Sequence, residues 1–388
     1  MREYSYKIDD FFIDEYTVNW DFVWSIPEFS ALKDTKQSVK YHKEGNVDIH
    51  TQMVVHLIIN DTRFDSNAHN RKTLIMAALC HDLGKAITTV DKGDGKFTAY
   101  GHEFESEKIT RKLLWDEPTA FREQVCCLVR YHMYIRTLLE QKKSLYQSLI
   151  ELSQELGQRG TTLEMLFKLM HADNEGSISD EITTRSDKIK IESLEYLAKS
   201  MGILNRNAIP CLEDLRYKQN ERKCKGIKDI EILVMVGLPG AGKDTYVEEI
   251  LSMNGEKNTA VICRDDIRVE MGLCTSNEKI VGTSEQEAEV TRRFNEKLQK
   301  SIENGTGLII INNINLKKKY RVALQNDIKK YCNGKYYPIF NYIYIETTMK
   351  NHLLRRKGQI SEDVFNNMIM SFDWPSKEEY HQIYLQRN

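Results

Sequence analysis

The stretch ILVMVGLPGAGKDT, residues 232–245, changes from an apolar strand pattern through a glycine-rich turn into the start of an amphipathic helix. Gly237, Gly240 and Gly242 let the backbone N–H groups of the turn point inward, and the N-terminus of the helix adds positive potential. Lys243 then lies where it can reach the β and γ phosphates of a nucleotide. The stretch therefore predicts a loop that binds ATP or another nucleoside triphosphate, with a tight turn without ligand as the alternative.

Asp244 occupies the position at which a serine or threonine normally offers Mg²⁺ a hydroxyl oxygen. Thr245 cannot replace it, because a helix turns about 100° per residue, so we expect Thr245 near the α-phosphate. The predicted strand GLIIINNIN, residues 307–315, ends in Asn312 and Asn313 instead of the usual acidic metal partner. We hypothesise that the carboxylate has moved to the loop. The alternative is a site that binds nucleotide poorly or without metal, since Asp beside a triphosphate is repulsive.

Length and composition limit what the rest of the chain can be. The 388 residues indicate two domains, and 41% hydrophobic with 29% charged residues is typical of a globular protein. The net charge of −2 argues against general binding of polyanions, so any nucleic-acid contact must be local. The eight cysteines form no CxxC pair, which favours buried thiols over disulfides or structural zinc. No apolar run approaches the roughly 20 residues that span a bilayer, so we expect a cytoplasmic protein with no membrane partner.

The two halves of the chain show different periodicities. Apolar residues recur at three- and four-residue spacing through most of the first half, whereas strand-like and helical runs alternate after residue 230. A polar segment without clear periodicity separates the two patterns. We therefore predict an all-α helical domain at 1–205, a linker at 206–229, and an α/β domain with a parallel sheet at 230–388.

A group of charged residues follows the predicted strand NTAVIC and faces the same edge of the sheet as the glycine-rich loop. It contains Arg264, Asp265, Asp266 and Arg268. A carboxylate there can take the proton from an attacking hydroxyl, and an arginine three residues later can hold a neighbouring phosphate. An ordinary helix N-cap is the alternative for the acidic pair.

Two further basic groups lie towards the carboxyl terminus. Arg355 and Arg356 follow the last strand that the pattern predicts, residues 338–346, and could close over the transferring phosphoryl group as a lid. A basic run that could track a nucleic-acid backbone comprises Lys317, Lys318, Lys319 and Arg321. A solvated helix face is the alternative for both groups.

Together these motifs resemble the 5′-OH polynucleotide kinase domain of bacteriophage end-healing enzymes. The resemblance covers about residues 230–372 and rests on GLPGAGKDT, CRDDIR, GLIIINNINLKKKYR and LLRRKG. It implies a P-loop kinase domain that uses ATP, with Mg²⁺ as its metal. It also implies that Asp265 activates the 5′-OH, that Arg268 holds the adjacent phosphate, and that Arg355 or Arg356 stabilises the transition state.

The chain departs from the phage pattern at two positions and in one segment. Asp244 replaces a hydroxyl residue, Asn313 stands where an Asp is expected, and the lid segment is shorter. These departures concern the metal geometry more than the reaction class.

The helical half has a constellation of its own in LCHDLGK, residues 79–85. His81 and Asp82 form a polar pair at the end of an apolar helix, where such groups rarely occur without a partner. Imidazoles and carboxylates together suit a first-row divalent metal, and Asp82 could bridge two of them. A lone histidine is more often a core or surface residue, but the predicted helices bring six candidates: His50, His81, Asp82, His102, His132 and Asp173.

This half resembles the HD phosphohydrolase superfamily, especially the HD domain of bacterial CCA-adding tRNA nucleotidyltransferases. The resemblance rests on YHKEGNVDIHTQ, CHDLGK, YGHEFES and HADNE, within residues 41–175. It implies one or two divalent transition metals and attack of metal-activated water on a phosphoester. The implied metal ligands are His50, His81, Asp82 and Asp173, with His102 and His132 completing a second site or the phosphate pocket. His42 and Lys85 would contact the substrate phosphate.

The order of the two halves resembles bacterial end-healing enzymes that join an HD phosphohydrolase to a polynucleotide kinase. This resemblance implies phosphorylation of 5′-OH ends and removal of 2′,3′-cyclic, 2′- or 3′-phosphates from RNA or DNA, with RNA preferred and a separate RNA ligase needed for sealing. One alternative is a small-molecule or nucleotide kinase fused to an HD nucleotidase. Another is an HD hydrolase regulated by a non-catalytic domain that senses ATP.

Overall fold

The computed structural model describes residues 6–60, 68–134, 138, 144–208, 221–254, 258–273, 282–355 and 360–386. By its internal contacts the chain divides into two compact units, Met1–Pro210 and Cys211–Asn388, which we call the amino-terminal and the carboxyl-terminal unit. The division falls within the segment 206–229, where the sequence predicts a linker.

The amino-terminal unit is built from helices, and its helical fold is confirmed. The helices are α1 (Trp20–Ser25), α2 (Pro27–Ser30), α3 (Val47–Asn60), α4 (Ala68–Cys80), α5 (Lys85–Thr88), α6 (His102–Leu113), α7 (Thr119–Tyr131), α8 (Leu145–Gln158), α9 (Leu163–Glu175) and α10 (Glu181–Ser200). A two-stranded antiparallel sheet, β1 (Val90–Asp91) and β2 (Phe97–Thr98), interrupts them. The sequence patterns did not predict this small sheet.

Helix α4 lies at the centre of the unit. Every side chain from Leu74 to Cys80 is buried, and α4 packs against α3, α7 and α9. A helix segment that is apolar on all sides must be enclosed by other elements. The two residues that follow it, His81 and Asp82, are therefore delivered into the protein interior, where both are at most 1% exposed.

The segment before α3 packs onto the helices of the amino-terminal unit. Phe11 is fully buried, and the backbone N–H of Tyr6 donates a hydrogen bond to the carbonyl of Leu113. The N–H of Ile8 donates to the carboxylate of Glu117. This segment therefore belongs to the core of the amino-terminal unit.

The carboxyl-terminal unit contains a parallel sheet, as predicted, and this sheet has five strands. Its strands are β3 (Lys228–Val236), β4 (Thr259–Ile262), β5 (Leu308–Ile311), β6 (Tyr336–Ile345) and β7 (Gln382–Gln386), in the order β4-β5-β3-β6-β7. Its helices are α11 (Lys243–Asn254), α12 (Arg264–Glu270), α13 (Ser284–Glu303), α14 (Lys318–Cys332), α15 (Met349–Arg355) and α16 (Glu362–Met370). The central strand β3 is the one that leads into the glycine-rich loop. Its neighbours β5 and β6 lie on either side, and such a point in an open parallel sheet is where ligands bind.

The sequence patterns did not predict strand β7, whose residues are half-exposed or exposed. The expectation that Arg355 and Arg356 follow the last strand is therefore wrong, because β7 comes after them and pairs with β6. An edge strand gives a weak signal, since only one of its sides is paired and its side chains need not be apolar.

The six described cysteines carry free thiols, and Cys224 is the exposed one among them. Within the described ranges, no helix combines the length and the apolar character needed to cross a bilayer.

Candidate functional site

Buried histidines and one shared carboxylate form the centre of the amino-terminal unit. Potential ligand atoms of His50, His81 and Asp82 lie within 4.8 Å of one another, and so do those of Asp82, His102 and His132. His81 Nε2 is 3.2 Å from one oxygen of Asp82, and His102 Nε2 is 3.3 Å from the other. Asp82 therefore faces both groups with its two oxygens.

The backbone orients three of these imidazole rings in the same way. The Nδ1 atoms of His81, His102 and His132 lie 2.7, 2.8 and 2.7 Å from the carbonyl three residues earlier. A carbonyl can only accept a hydrogen bond, so Nδ1 carries a proton in each ring, and in the neutral form of the ring Nε2 is the nitrogen that presents a lone pair. This arrangement is the one by which proteins hold histidine as a metal ligand.

The pair His102 and His132 fits a bound cation. Their Nε2 atoms are 3.2 Å apart, and two lone pairs at this distance repel each other unless a proton or a metal ion lies between them. Burial, together with the nearby His102 and His81, lowers the pKa of His132 to about 3, so its ring is neutral at pH 7. Neutral imidazole with carboxylate suits a first-row divalent ion.

His50 and Asp173 extend the first group. His50 Nε2 is 3.0 Å from Asp173 Oδ1, which lies 3.7 Å from His81 Nε2. Burial by itself would lower the pKa of His50, but hydrogen bonds to Asp173 and Glu44 outweigh it and raise the pKa to about 9. The carboxylates around His50 thus stabilise a positive charge at this ring. A bound metal ion would supply that charge in place of the ring proton.

His42 and Lys85 both lie beside the metal-ligand candidates, and each contacts a further polar side chain. His42 Nδ1 is 2.7 Å from the carboxylate of Glu44, which also lies 3.3 Å from His50 Nδ1. Lys85 Nζ is 2.7 Å from Asp82 and donates a 2.8 Å hydrogen bond to Gln37. A cavity of about 410 Å³ opens over these residues and is lined by His42, Asp82, Lys85, His102, His132 and Asp173 among others.

The glycine-rich loop of the carboxyl-terminal unit has the backbone that phosphate binding requires. Gly240 and Gly242 adopt positive φ angles of 81° and 87°, which side chains rarely tolerate. A Cβ on Gly237 would lie 3.1 Å from the carbonyl oxygen of Ile345. Lys243 Nζ donates hydrogen bonds of 3.0 Å to the carbonyls of Gly237 and Leu238, so the lysine is held over the loop. Thr245 is exposed on the first turn of α11.

Asp244 is tied to the end of strand β5. The amide nitrogen of Asn312 donates a 2.7 Å hydrogen bond to Asp244 Oδ1, and Asn312 is 7% exposed. Asn313 is engaged elsewhere, because its side-chain oxygen accepts from the N–H of Arg264. Burial, followed by the charges of Asp244 and Asp265, raises the pKa of Asp266. Oxygen donors with excess negative charge are the surroundings that Mg²⁺ prefers, so these residues fit that ion.

Asp265 and Arg268 form an ion pair on α12. Arg268 Nη1 donates a 2.6 Å hydrogen bond to Asp265, whose side chain is 71% exposed. The same guanidinium makes a bidentate contact of 2.9 and 2.7 Å with Glu287 on α13. The structure thus brings Asp265 and Arg268 together, with Glu287 fixing the orientation of the arginine.

The two remaining basic groups have different positions. Arg355 ends α15 and its side chain, like the whole of Arg356, lies outside the described residues. Arg321 is fully buried and holds Glu379 with hydrogen bonds of 2.7 and 3.1 Å. The expectation that Arg321 tracks a nucleic-acid backbone is therefore wrong, because its guanidinium lies inside the unit.

Two protein-family models match parts of the chain. Residues 47–167 match the HD domain family, and residues 231–381 match the family described as chromatin associated protein KTI12. The chain joins an HD domain to a P-loop kinase-like domain. Of the metal-ligand candidates, Asp173 lies beyond the residues that match the HD family.

Curated relatives are multifunctional CCA proteins. The protein from Mannheimia succiniciproducens is 28% identical over 181 residues, which is 46% of this chain and 41% of that protein. The protein from Pasteurella multocida is 33% identical over 121 residues, covering 29% of this chain and 26% of the relative. The chain thus spans less than half the length of these relatives.

Solved structures show distant likeness. A complex of Pnkp1, Rnl and Hen1 has 19% identity and a TM-score of 0.28, over 35% of this chain and 42% of that chain. Kti12 from Chaetomium thermophilum with ADP-AlF3 has 14% identity and a TM-score of 0.28, over 40% of this chain and 88% of that chain. At these scores the likeness carries no argument about activity.

Sequence reasoning missed several residues that support the two sites. In the HD domain they are Glu44 and Gln37, and in the kinase-like domain they are Asn312, as a partner of Asp244, and Glu287. Gln37 and Glu287 lie outside the quoted motifs, whereas Glu44 and Asn312 lie within YHKEGNVDIHTQ and GLIIINNIN. Each is one polar residue among several in its segment. Only its distance from a motif residue in the folded chain distinguishes it from other polar residues.

Proposed function

We propose that this protein heals the ends of broken nucleic acid. The HD domain removes 2′,3′-cyclic, 2′- or 3′-phosphates, and the kinase-like domain transfers the γ-phosphate of ATP to 5′-OH ends. The observation that carries the proposal is Asp82, whose two oxygens face two separate groups of imidazoles beneath a cavity lined by Lys85. Such a site can hydrolyse phosphoesters at the 3′ end of a strand. The phosphate-binding loop of the same chain can serve the transfer of phosphate to the 5′ end.

In the HD domain, one set of side chains would bind metal ions and another would bind the substrate phosphate. His50, His81, Asp82 and Asp173 would hold one divalent ion, and Asp82, His102 and His132 a second. When bound, such ions supply Lewis-acid chemistry at the phosphorus and its oxygens. Lys85 and His42 line the cavity beside them, where an ammonium and an imidazole can bind phosphate oxygens and orient the ester.

In the kinase-like domain, the reaction is a direct phosphoryl transfer. The 5′ oxygen forms a bond to the γ-phosphorus, its proton passes to Asp265, and ADP leaves with the electrons of the broken bond. Lys243 would leave the carbonyls of Gly237 and Leu238 to bind the β and γ phosphates. Arg268 would hold the neighbouring phosphate, and Arg355 or Arg356 the transition-state charge. Asp244, oriented by Asn312, would bind Mg²⁺.

RNA is the preferred substrate in this proposal because only ribose forms a 2′,3′-cyclic phosphate. Cleavage of RNA by transesterification leaves this group and a 5′-OH, so one broken molecule offers both ends. A separate RNA ligase would then join them, and the protein would act in the cytoplasm.

A second candidate treats the kinase-like domain as an ATP sensor that regulates the hydrolase. Burial, followed by the charges of Asp244 and Asp265, raises the pKa of Asp266. These negative charges favour this reading, since without a metal ion they would repel a triphosphate. In that case ATP binds, its γ-phosphate is not transferred, and loss of Asp265 has no effect.

Two parallel reactions test the proposal. The first contains γ-labelled ATP, Mg²⁺ and a short 5′-OH RNA, and the second a 2′,3′-cyclic-phosphate RNA with a transition metal. Label on the 5′ end together with release of phosphate supports both activities. Phosphate release without label supports the sensor, and label on a free nucleoside as readily as on RNA would indicate a nucleotide kinase.

A further inference from the structure

Three aromatic side chains line the cavity of the HD domain. Tyr41, Phe97 and Tyr100, which we call the aromatic rim, line the same space of about 410 Å³ as the metal-ligand candidates. Tyr41 is 44% and Tyr100 87% exposed, and Phe97 is half-buried. Single exposed aromatic residues are ordinary on a protein surface. Two of them around one cavity, together with the half-buried Phe97, fit a ligand with flat apolar faces.

The rim is held by the same backbone segments that place the site residues. Tyr41 directly precedes His42, while Tyr100 precedes His102 by two residues and follows strand β2, which carries Phe97. A group bound by these rings is therefore close to a phosphate bound by the imidazoles and Lys85. In a nucleotide, base and phosphate are joined through one sugar and are separated by a similarly short distance.

The charged side chains around this cavity would not by themselves account for binding of a nucleic acid. Lys36 and Lys85 line it, but so do Glu103 and Asp187, so the wall carries both signs. The ammonium of Lys40 lies 4.9 Å from the centre of the Tyr41 ring, which favours a fixed ring position. The ring faces can add affinity beyond that of the phosphate, because base–aromatic stacking supplies it without selecting a base.

We propose that the aromatic rim stacks the terminal bases of a single-stranded polynucleotide whose 3′-terminal phosphate lies at the metal-ligand residues. This inference rests on the proposed hydrolase function and names its substrate class. A cavity of about 410 Å³ is within the ~300–1,000 Å³ of small-molecule sites and exceeds what a phosphate needs. The rim holds bases by their faces, so the enzyme accepts any terminal base.

The test measures binding and hydrolysis with matched substrates. The first is a short single strand with a 5′-phosphate, which blocks the kinase acceptor end, and a 3′-phosphate. The second is the same strand with base-free sugars at its last two positions. Dissociation constants come from fluorescence anisotropy on the metal-free protein, and KM and kcat from phosphate release by the metal-loaded protein.

For Tyr41→Ala and for Tyr100→Ala we expect binding of the normal strand to weaken and its KM to rise by roughly 5- to 150-fold. The base-free strand should bind alike to all variants, and kcat should change little. Tyr100→Phe keeps the ring face and should restore affinity. Tyr146→Ala, which removes a ring that is 58% exposed and does not line this cavity, is the matched control.

Three results would overturn the inference. The first is that the unaltered protein binds the normal and the base-free strand equally well. The second is that the alanine variants lose equal affinity for both strands. The third is that a nucleoside 3′-phosphate binds as tightly as the strand. Absence of phosphate release from either strand would instead contradict the hydrolase itself, while the anisotropy data would still decide whether the rim binds bases.

Discussion

At the scale of single residues, Asp82 is a carboxylate that is buried and still ionised. Its carboxylate is buried between His81 and His102, and these neighbours with Lys85 keep it ionised. Burial by itself would raise its pKa, but the charges of His81 and Lys85 outweigh that and hold the pKa well below its usual range. A permanent carboxylate is what a shared metal ligand requires.

Replacing this carboxylate with an amide should separate the two activities. We expect Asp82→Asn to lower phosphate release by at least ~100-fold, since loss of a shared ligand costs several kcal/mol of charge stabilisation. Metal content measured by mass spectrometry should fall as well. Asp187→Asn, at the wall of the same cavity, should keep metal and activity. Full metal content in Asp82→Asn would contradict its place as a ligand.

The contact between Asp244 and Asn312 tests whether the carboxylate in the loop binds Mg²⁺. We expect Asp244→Ala to lose Mg²⁺-dependent phosphoryl transfer, because the anionic ligand is gone. Asn312→Ala should raise the Mg²⁺ concentration needed for half-maximal activity by roughly 10- to 100-fold, as expected for a residue that orients a ligand. Phosphate release by the HD domain serves as the internal control. Kinase activity that survives in Asp244→Ala would rule the idea out.

At the scale of elements, a buried ionic network connects helices α6 and α7 of the HD domain. Arg111 contacts Glu123 at 3.0 and 2.9 Å, and Arg159, just after α8, contacts both Glu123 and Glu107. Burial alone would raise the pKa of Glu123, but the guanidinium groups of Arg111 and Arg159 lower it to about 2. The network holds together the helices that carry His102 and precede His132.

Removing the central carboxylate should destabilise this domain in a pH-dependent way. We expect Glu123→Gln to lower the free energy of unfolding by about 3–5 kcal/mol at pH 7, because it leaves buried arginines without their partner. The folded pKa of about 2 lies below the usual 4.5, so this stabilisation is complete above pH 4.5 and is lost as the pH falls towards 2. Urea unfolding across this range measures the difference. Glu151→Gln, at an exposed carboxylate, should change stability by less than about 0.5 kcal/mol.

The buried pair of Arg321 and Glu379 connects α14 to the segment before β7. We expect Arg321→Met to reduce the stability of the kinase-like domain by about 3–5 kcal/mol, since Glu379 keeps a buried, unpaired charge. Thermal unfolding measures this effect, and Lys319→Met on the same helix, an exposed side chain, is the control. An Arg321→Met variant that unfolds like the unaltered protein would contradict a stabilising role for this ion pair.

At the scale of the whole molecule, the two sites belong to separate compact units. Lys243→Ala should abolish phosphorylation of 5′-OH ends and leave phosphate release from 2′,3′-cyclic ends within about twofold, because the HD ligands all lie in the other unit. Asp82→Asn should show the reverse pattern. Assaying both activities on both variants measures their coupling. Loss of both activities in either variant would mean that one domain controls the other.

The sequence by itself determined the features that depend on neighbouring residues. Helical and strand periodicities, the glycines that need positive φ, and the HD pair at the end of an apolar helix all act within a few positions. They sufficed for the parallel sheet and for the helical unit, and they marked His81, Asp82 and Lys243 as candidates for the two sites. Strand β7 and the sheet of β1 and β2 gave no clear pattern, because they are short and partly exposed.

Only the tertiary structure decided which distant residues meet. Gln37 beside Lys85, Glu287 beside Arg268, and Asn312 beside Asp244 are pairs that no local pattern connects. The same is true of Arg321, which reads as part of a basic run and is buried against Glu379, 58 residues away along the chain. A side chain's partners depend on how elements pack, and packing minimises the free energy of the whole core, which no short stretch of sequence contains.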